Sequence, residues 1–157
     1  MSKNWKVYAL WIGVAEAVGA LSALLSRDGM ARYGETDIQP ALAPPMWVFP
    51  VVWSILFALM GIGAAMVWLS PESDLRRKGL NVFVAQLIVN FFWSLIFFNL
   101  QAFGFAFIWL LLLWVLVAWM IWTFYQVKTL AAWLQVPYLL WLTFAGYLNF
   151  AVWMLNR

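Results

Sequence analysis

Apolar residues fall along this chain in long blocks, separated by a few short polar breaks. A helix that crosses a bilayer needs about 20 consecutive apolar residues. The first such block runs from Trp5 to Ser26 and is followed by a polar stretch from Arg27 to Gln39. Pro44 and Pro45 then oppose a helix interior but suit a helix start, so a second span is expected from Met46 to Leu69. Ser70 to Gly79 is a charged loop. From Gly79 to Val127 there is no charged residue, too long a run for one span, and Asn99-Leu100-Gln101-Ala102-Phe103-Gly104 is its only polar, glycine-containing break. The pattern therefore predicts spans over 5–26, 46–69, 80–98, 105–126 and 130–155, with Pro137 starting or bending the last one. A transmembrane β-barrel would alternate polar and apolar positions, whereas Trp109 to Val117 is continuously apolar. The expected fold is all-α: one integral membrane bundle of five helices over residues 1–157, with a long first loop at 27–45.

Composition agrees with lipid as the solvent. The chain is 67% hydrophobic and 10% charged, against about 45–50% and about 25% in soluble domains. Such a composition also excludes disorder. Cysteine and histidine are absent, which removes disulfides, thiolate chemistry and the commonest metal ligand, so no metal or cofactor is expected. The net charge of +3 is too small and scattered for nucleic-acid binding. The basic N-terminus before an apolar run resembles the start of a signal peptide. The run is too long for that, carries Glu16 and lacks a convincing cleavage site, so a retained span is expected. Lys3, Lys6, Arg76, Arg77, Lys78 and Lys128 lie on one side of the predicted topology, and Arg27, Arg32 and Arg157 on the other. The positive-inside rule then puts the N-terminus in the cytoplasm and the long loop outside, in a multi-pass protein of the bacterial cytoplasmic membrane.

The polar groups inside the spans carry the candidate chemistry. Gln86, Asn90 and Ser94 recur every four residues and form one helical stripe, flanked by Trp93 and Phe97. Amides in hydrocarbon need partners, so this stripe faces other helices, a ligand, or both. Tyr138, Trp141, Ala145, Asn149 and Trp153, with Leu148 beside them, define a face of the last span, where small Ala145 leaves room for a guest or simply for packing. Span two offers Trp53, Ser54 and Phe57. Trp53, Trp93 and Trp141 sit beside polar atoms on inward faces, the form of a small-molecule site in which aromatic walls surround a few polar groups. Other tryptophans near span ends reflect the interface preference of indole. Glu16 lies near mid-depth of span one, as an interhelical contact or, less simply, part of a proton relay. Ala15, Gly19 and Ala23 repeat at four-residue spacing and permit close helix packing, within the protein or between protomers.

Several runs resemble one known family. Pro44-Pro45-Met46-Trp47-Val48-Phe49-Pro50-Val51-Val52-Trp53 is similar to the first-loop and second-helix signature of the tryptophan-rich sensory protein/translocator protein family, also called the peripheral-type benzodiazepine receptor family. Gln86-Leu87-x-x-Asn90-x-x-Trp93 with Phe97-Phe98 resembles its third helix, Tyr125-Gln126-Val127 the end of its fourth, and the series from Pro137 through Trp141, Ala145, Asn149 and Trp153 to Asn156 its fifth. The resemblance implies five helices around a pocket with the long first loop as its lid. It implies binding of porphyrins such as protoporphyrin IX and, in some members, of sterol or of isoquinoline carboxamide and benzodiazepine-type ligands. Members often form homodimers. Carried over by position, the implied ligand-binding residues are Tyr33, Trp53, Phe57, Gln86, Asn90, Trp93, Trp141, Ala145 and Leu148. This chain departs from the family pattern at Leu42, where an aromatic is usual. It also carries Phe150 and Met154 where animal members have the tyrosine and basic residue of their steroid motif, which tells against tight cholesterol recognition.

Three functions follow as expectations. The leading one is a membrane receptor or sensor of tetrapyrroles. Without histidine or cysteine the two commonest side-chain ligands of haem iron are missing, so free-base porphyrin should bind without iron. The second is a transporter of such ligands, although no paired half-helices of the inverted-repeat kind are visible. The third is light-dependent porphyrin degradation. No acid–base dyad, nucleophile triad or metal cluster is evident, so that activity would fall to the indoles of Trp53 and Trp141. A purely structural membrane protein is the remaining alternative.

Overall fold

A computed structural model describes residues 3–157, and every regular element in it is helical. The helices are α1 (Asn4–Thr36), α2 (Val48–Trp68), α3 (Asp74–Ser94), α4 (Phe103–Val127), α5 (Thr129–Trp133) and α6 (Val136–Asn156), with one π-helical turn, Leu95–Asn99, continuing α3. Five helical stretches, with α5 and α6 counted together, are long and apolar enough to cross a membrane. Large apolar side chains such as Leu24, Ile108, Val115 and Trp122 stand exposed on the outer faces. Water would not tolerate a continuous apolar surface of this kind, and lipid does.

The first helix corrects the span expected over 5–26. It continues ten residues past Ser26, through Arg27 and Asp28, and the loop shrinks to the segment between Thr36 and Val48. Charge marks where a helix leaves hydrocarbon, not where its hydrogen bonding stops. No proline intervenes before Pro40, and the Asp37 N–H still donates to the Tyr33 carbonyl at 3.2 Å. The extension is held by tertiary contact. Gly29 lets the Phe98 backbone and the Asn99 side chain approach where a Cβ would stand, and Asn99 Nδ2 donates to the Leu25 carbonyl at 2.9 Å.

The other boundaries follow local chemistry. Ser73 caps α3, its hydroxyl accepting from the Arg76 N–H at 3.1 Å, so α3 begins at Asp74 instead of Leu80. Arg76 turns back to donate to the Trp68 carbonyl at the end of α2 and lies 4.6 Å from the Trp68 ring centroid. Between α3 and α4 the residue with positive φ is Gln101 (φ 50), not Gly104. Gly104 serves a different need, because the Trp153 indole lies where its Cβ would be. Pro137 does start α6 and has no N–H to give, and the chain steps from α5 to α6 just before it. Buried Gln135 holds that step, its Nε2 donating to the Leu59 carbonyl at 3.0 Å while Gly63 makes room for it.

In the bundle α1 packs on α2, and α4 packs on both α3 and α6. The Ala15–Gly19–Ala23 series does permit close packing within the protein: Ala15 is fully buried and Gly19 receives the Phe57 ring. A main core around Met60, Phe83, Leu113, Phe124 and Leu142 fills the half of the bundle nearer the α2–α3 loop. A second cluster, with Tyr33, Phe97, Phe103 and Val152, lies at the end nearer the first loop.

Candidate functional site

The bundle is not filled throughout. A cavity of about 360 Å³ lies among α1, α2, α3 and α6, with Leu110 and Leu113 of α4 as its floor. That is within the size range of small-molecule sites, about 300–1,000 Å³. Among the described residues no Asp, Glu, Lys or Arg contributes to its wall. Its wall is apolar and rich in aromatic rings, some of them meeting edge-on: Trp53 and Trp141 stand at 89° with centroids 6.5 Å apart, and Phe49 meets Trp141 at 5.9 Å.

Eight of the nine residues expected at a ligand site line this one cavity: Tyr33, Trp53, Phe57, Asn90, Trp93, Trp141, Ala145 and Leu148. Gln86 does not. It is fully buried behind the wall, where its Oε1 accepts from the Tyr138 hydroxyl at 2.7 Å, and Tyr138 in turn accepts from Asn90 Nδ2 at 2.6 Å. The predicted amide stripe thus divides by depth. Gln86 makes an interhelical hydrogen bond, Ser94 faces the cavity, and Asn90 between them does both. Tyr138 is wholly inside the bundle and presents nothing to the cavity; it orients Asn90 instead.

Further wall residues lie outside the expected ligand set, although the sequence already places Asn149 and Phe97 on the candidate faces. Asn149 lines the cavity while its Oδ1 accepts from the Trp93 indole at 3.0 Å and its Nδ2 donates to the Phe103 carbonyl at 2.9 Å, which fixes the Trp93 ring plane. Ser22, Met30, Phe97 and Phe98 join the wall because α1 and the π turn run together at this end. The signal for the α1 contribution was present. Ala15, Gly19, Ser22, Ser26, Gly29 and Tyr33 follow steps of four and three straight through the charged stretch, so one face continues past Ser26. Glu16 lies outside the wall, which removes it from direct contact with anything the cavity holds.

Two polar features bear on recognition. The Trp141 indole N–H is buried and lacks a hydrogen-bond partner among the described residues. An unpaired buried donor is costly unless an acceptor arrives. At the loop end the Arg32 guanidinium donates to the Phe98 and Asn99 carbonyls at 2.9 and 3.0 Å, and Phe98 is a wall residue. The first loop is fastened at this end. Asp37 accepts from Gln101 Nε2 at 2.7 Å, Ile38 exchanges two hydrogen bonds with the Asn156 amide, and the Ala41 carbonyl accepts from the Tyr147 hydroxyl at 2.8 Å. Met46, at the end of the loop, joins the wall.

Comparison with known proteins places this arrangement. The model of the TspO/MBR family matches residues 11–154. Protein CrtK of Rhodobacter capsulatus is 37% identical over 151 residues, covering 96% of this chain and 92% of that protein. The tryptophan-rich protein TspO of Chlorobaculum tepidum is 36% identical over 99% of both chains. The human translocator protein is 34% identical over 100% of this chain and 94% of its own length. With the match running through all five membrane-crossing stretches and every side of the cavity, the chain belongs to the TspO/MBR family.

Proposed function

We propose that the protein is a membrane receptor that binds a tetrapyrrole, of which protoporphyrin IX is the model ligand, in the aromatic cavity. Membership of a family whose relatives are named translocator and tryptophan-rich sensory proteins supports a receptor or transporter role. The observation that carries the finer reading is the cavity itself: apolar, rich in aromatic rings, and with the Asn90 amide among its few polar wall groups. A flat conjugated ring gains contact with the indoles of Trp53, Trp93 and Trp141, and a ring nitrogen or carbonyl can meet the Asn90 amide. Charged propionates have no counter-ion inside the wall, so they belong at the loop end beside Arg32. The first loop acts as the lid. The protein sits in the bacterial cytoplasmic membrane with its N-terminus inside, as the distribution of basic residues favours.

The test is a titration of detergent-purified protein with iron-free protoporphyrin IX, followed by tryptophan quenching. Saturable binding is expected, weakened by Trp141→Phe and, about tenfold, by Asn90→Ala, the loss of one buried hydrogen bond. Thermal melts of both variants establish that they are folded. Absence of saturable binding, or binding indifferent to both changes, refutes the reading. A second reading, light-dependent breakdown of the bound ring, would rest on Trp53 and Trp141, which both line the cavity. In that case Trp53→Phe/Trp141→Phe protein that still binds must lose the activity.

A further inference from the structure

The cavity shares one side chain with a second depression. On the outer, membrane-facing surface an open apolar groove runs between α2 and α6, bounded by Val52 and Ile55 on one side and Pro137, Leu140 and Phe144 on the other. Trp141 belongs to the wall of both. Along this seam the two helices barely approach each other through their backbones. Lower down, Gln135, in the step between α5 and α6, ties α2 in place through its amide. Above that tie the seam is filled by rings, with Trp141 in contact with Phe49, Trp53 and Phe144 at centroid distances of 5.9, 6.5 and 5.6 Å.

What fixes Trp141 differs from what fixes other indoles in the bundle. Trp93, Trp109 and Trp114 each donate to a partner on a neighbouring helix, to Asn149 Oδ1, the Val89 carbonyl and Thr143 Oγ1 respectively. The Trp141 N–H has none among the described residues. Swinging this ring therefore breaks no hydrogen bond, whereas lifting the first loop breaks the four that hold Asp37, Ile38 and Ala41. Behind Trp141 lies hydrocarbon-facing surface, with Ile55 and Leu140 exposed at the mouth of the groove.

We propose that Trp141 is the gate of a lateral portal, through which apolar flat molecules dissolved in the bilayer pass from the α2–α6 groove into the cavity. The proposal uses the cavity described above but not the identity of its ligand. The loop end then admits or orients the polar edge of a guest without being the route of its ring.

The chain has no cysteine, so one introduced thiol reports on the cavity alone. Ser94→Cys places a near-isosteric thiol in the wall. In liposomes its labelling by N-phenylmaleimide is compared with labelling by a sulfonated analogue of similar size. The apolar reagent should react much faster. Ile55→Trp, at the exposed mouth of the groove, should slow it about tenfold, as an added barrier near 1.4 kcal/mol would. Trp141→Ala should speed it, and Leu112→Trp on the lipid face of α4 should leave it unchanged. If Trp141→Ala does not fold, the exposed Ile55→Trp change still decides the matter. Equal reactivity toward the sulfonated reagent, indifference to Ile55→Trp, or no labelling by either reagent overturns the portal. A failed porphyrin titration with fast, groove-dependent labelling would remove the proposed ligand and leave the portal standing; the opposite pair of results would do the reverse.

Discussion

Tyr138→Phe separates the structural part of the amide stripe from its cavity-facing part. The Tyr138 side chain is fully buried, and its hydroxyl is the recorded partner of Gln86 Oε1 and of Asn90 Nδ2. Gln86 has little else, since its Nε2 makes only a 3.7 Å contact with the Met60 sulfur. Removing the hydroxyl loses two hydrogen bonds, each commonly about 0.6–2 kcal/mol between membrane helices. It also leaves the Gln86 carbonyl unsatisfied at a further cost of about 1–3 kcal/mol. Asn90 suffers less because it borders the cavity. The expected loss is about 2–7 kcal/mol, read as a fall of roughly 6–20 °C in the unfolding midpoint of detergent-purified protein. Gln86→Leu alone should also destabilise, by leaving the Tyr138 hydroxyl one acceptor short. In Tyr138→Phe/Gln86→Leu both polar partners are gone, so the double variant should be more stable than the two separate losses predict, with a coupling of about 1–2 kcal/mol. Strict additivity of the two losses would refute the hydrogen-bonded account and mean that Tyr138 contributes only its ring.

Three further outcomes are expected. Ala145→Phe projects a ring into the cavity, so it should abolish saturable porphyrin binding while leaving the melting midpoint the same or higher, because the added side chain fills existing space. Gly19→Leu collides with the Phe57 ring and should lower stability by about 1–3 kcal/mol in the same thermal assay, whereas Gly13→Leu, where a Cβ meets nothing, should not. Asn156→Ala removes both hydrogen bonds to Ile38 and should raise amide hydrogen exchange across residues 37–43 without altering exchange in α3 or α4.

Much of this protein was legible in the order of its residues. The apolar blocks, the charged loop from Ser70 to Gly79 and the uncharged run to Val127 force five crossings, because lipid leaves helices no alternative length or partner. Spacing on single faces brought Asn90, Trp93, Trp141, Ala145 and Leu148 toward the interior, since side chains three and four apart share a helix face whatever the fold. Depth along a face was not readable in the same way. Gln86 and Asn90 share a stripe, but only the approach of Tyr138 from α6 decides that one is sealed in the bundle and the other borders open space. The end of α1 was equally a tertiary decision. Arg27 and Asp28 signalled an exit from hydrocarbon, while Gly29 and Tyr33, packed against the π turn, keep the helix going to Thr36 and carry Met30 and Tyr33 to the cavity. Sequence determines which faces must avoid water or lipid, because that cost is local to each residue. Which indole finds an acceptor, and which one stands unpaired between cavity and membrane, depends on the distance between helices far apart in the chain, and only the assembled bundle sets that distance.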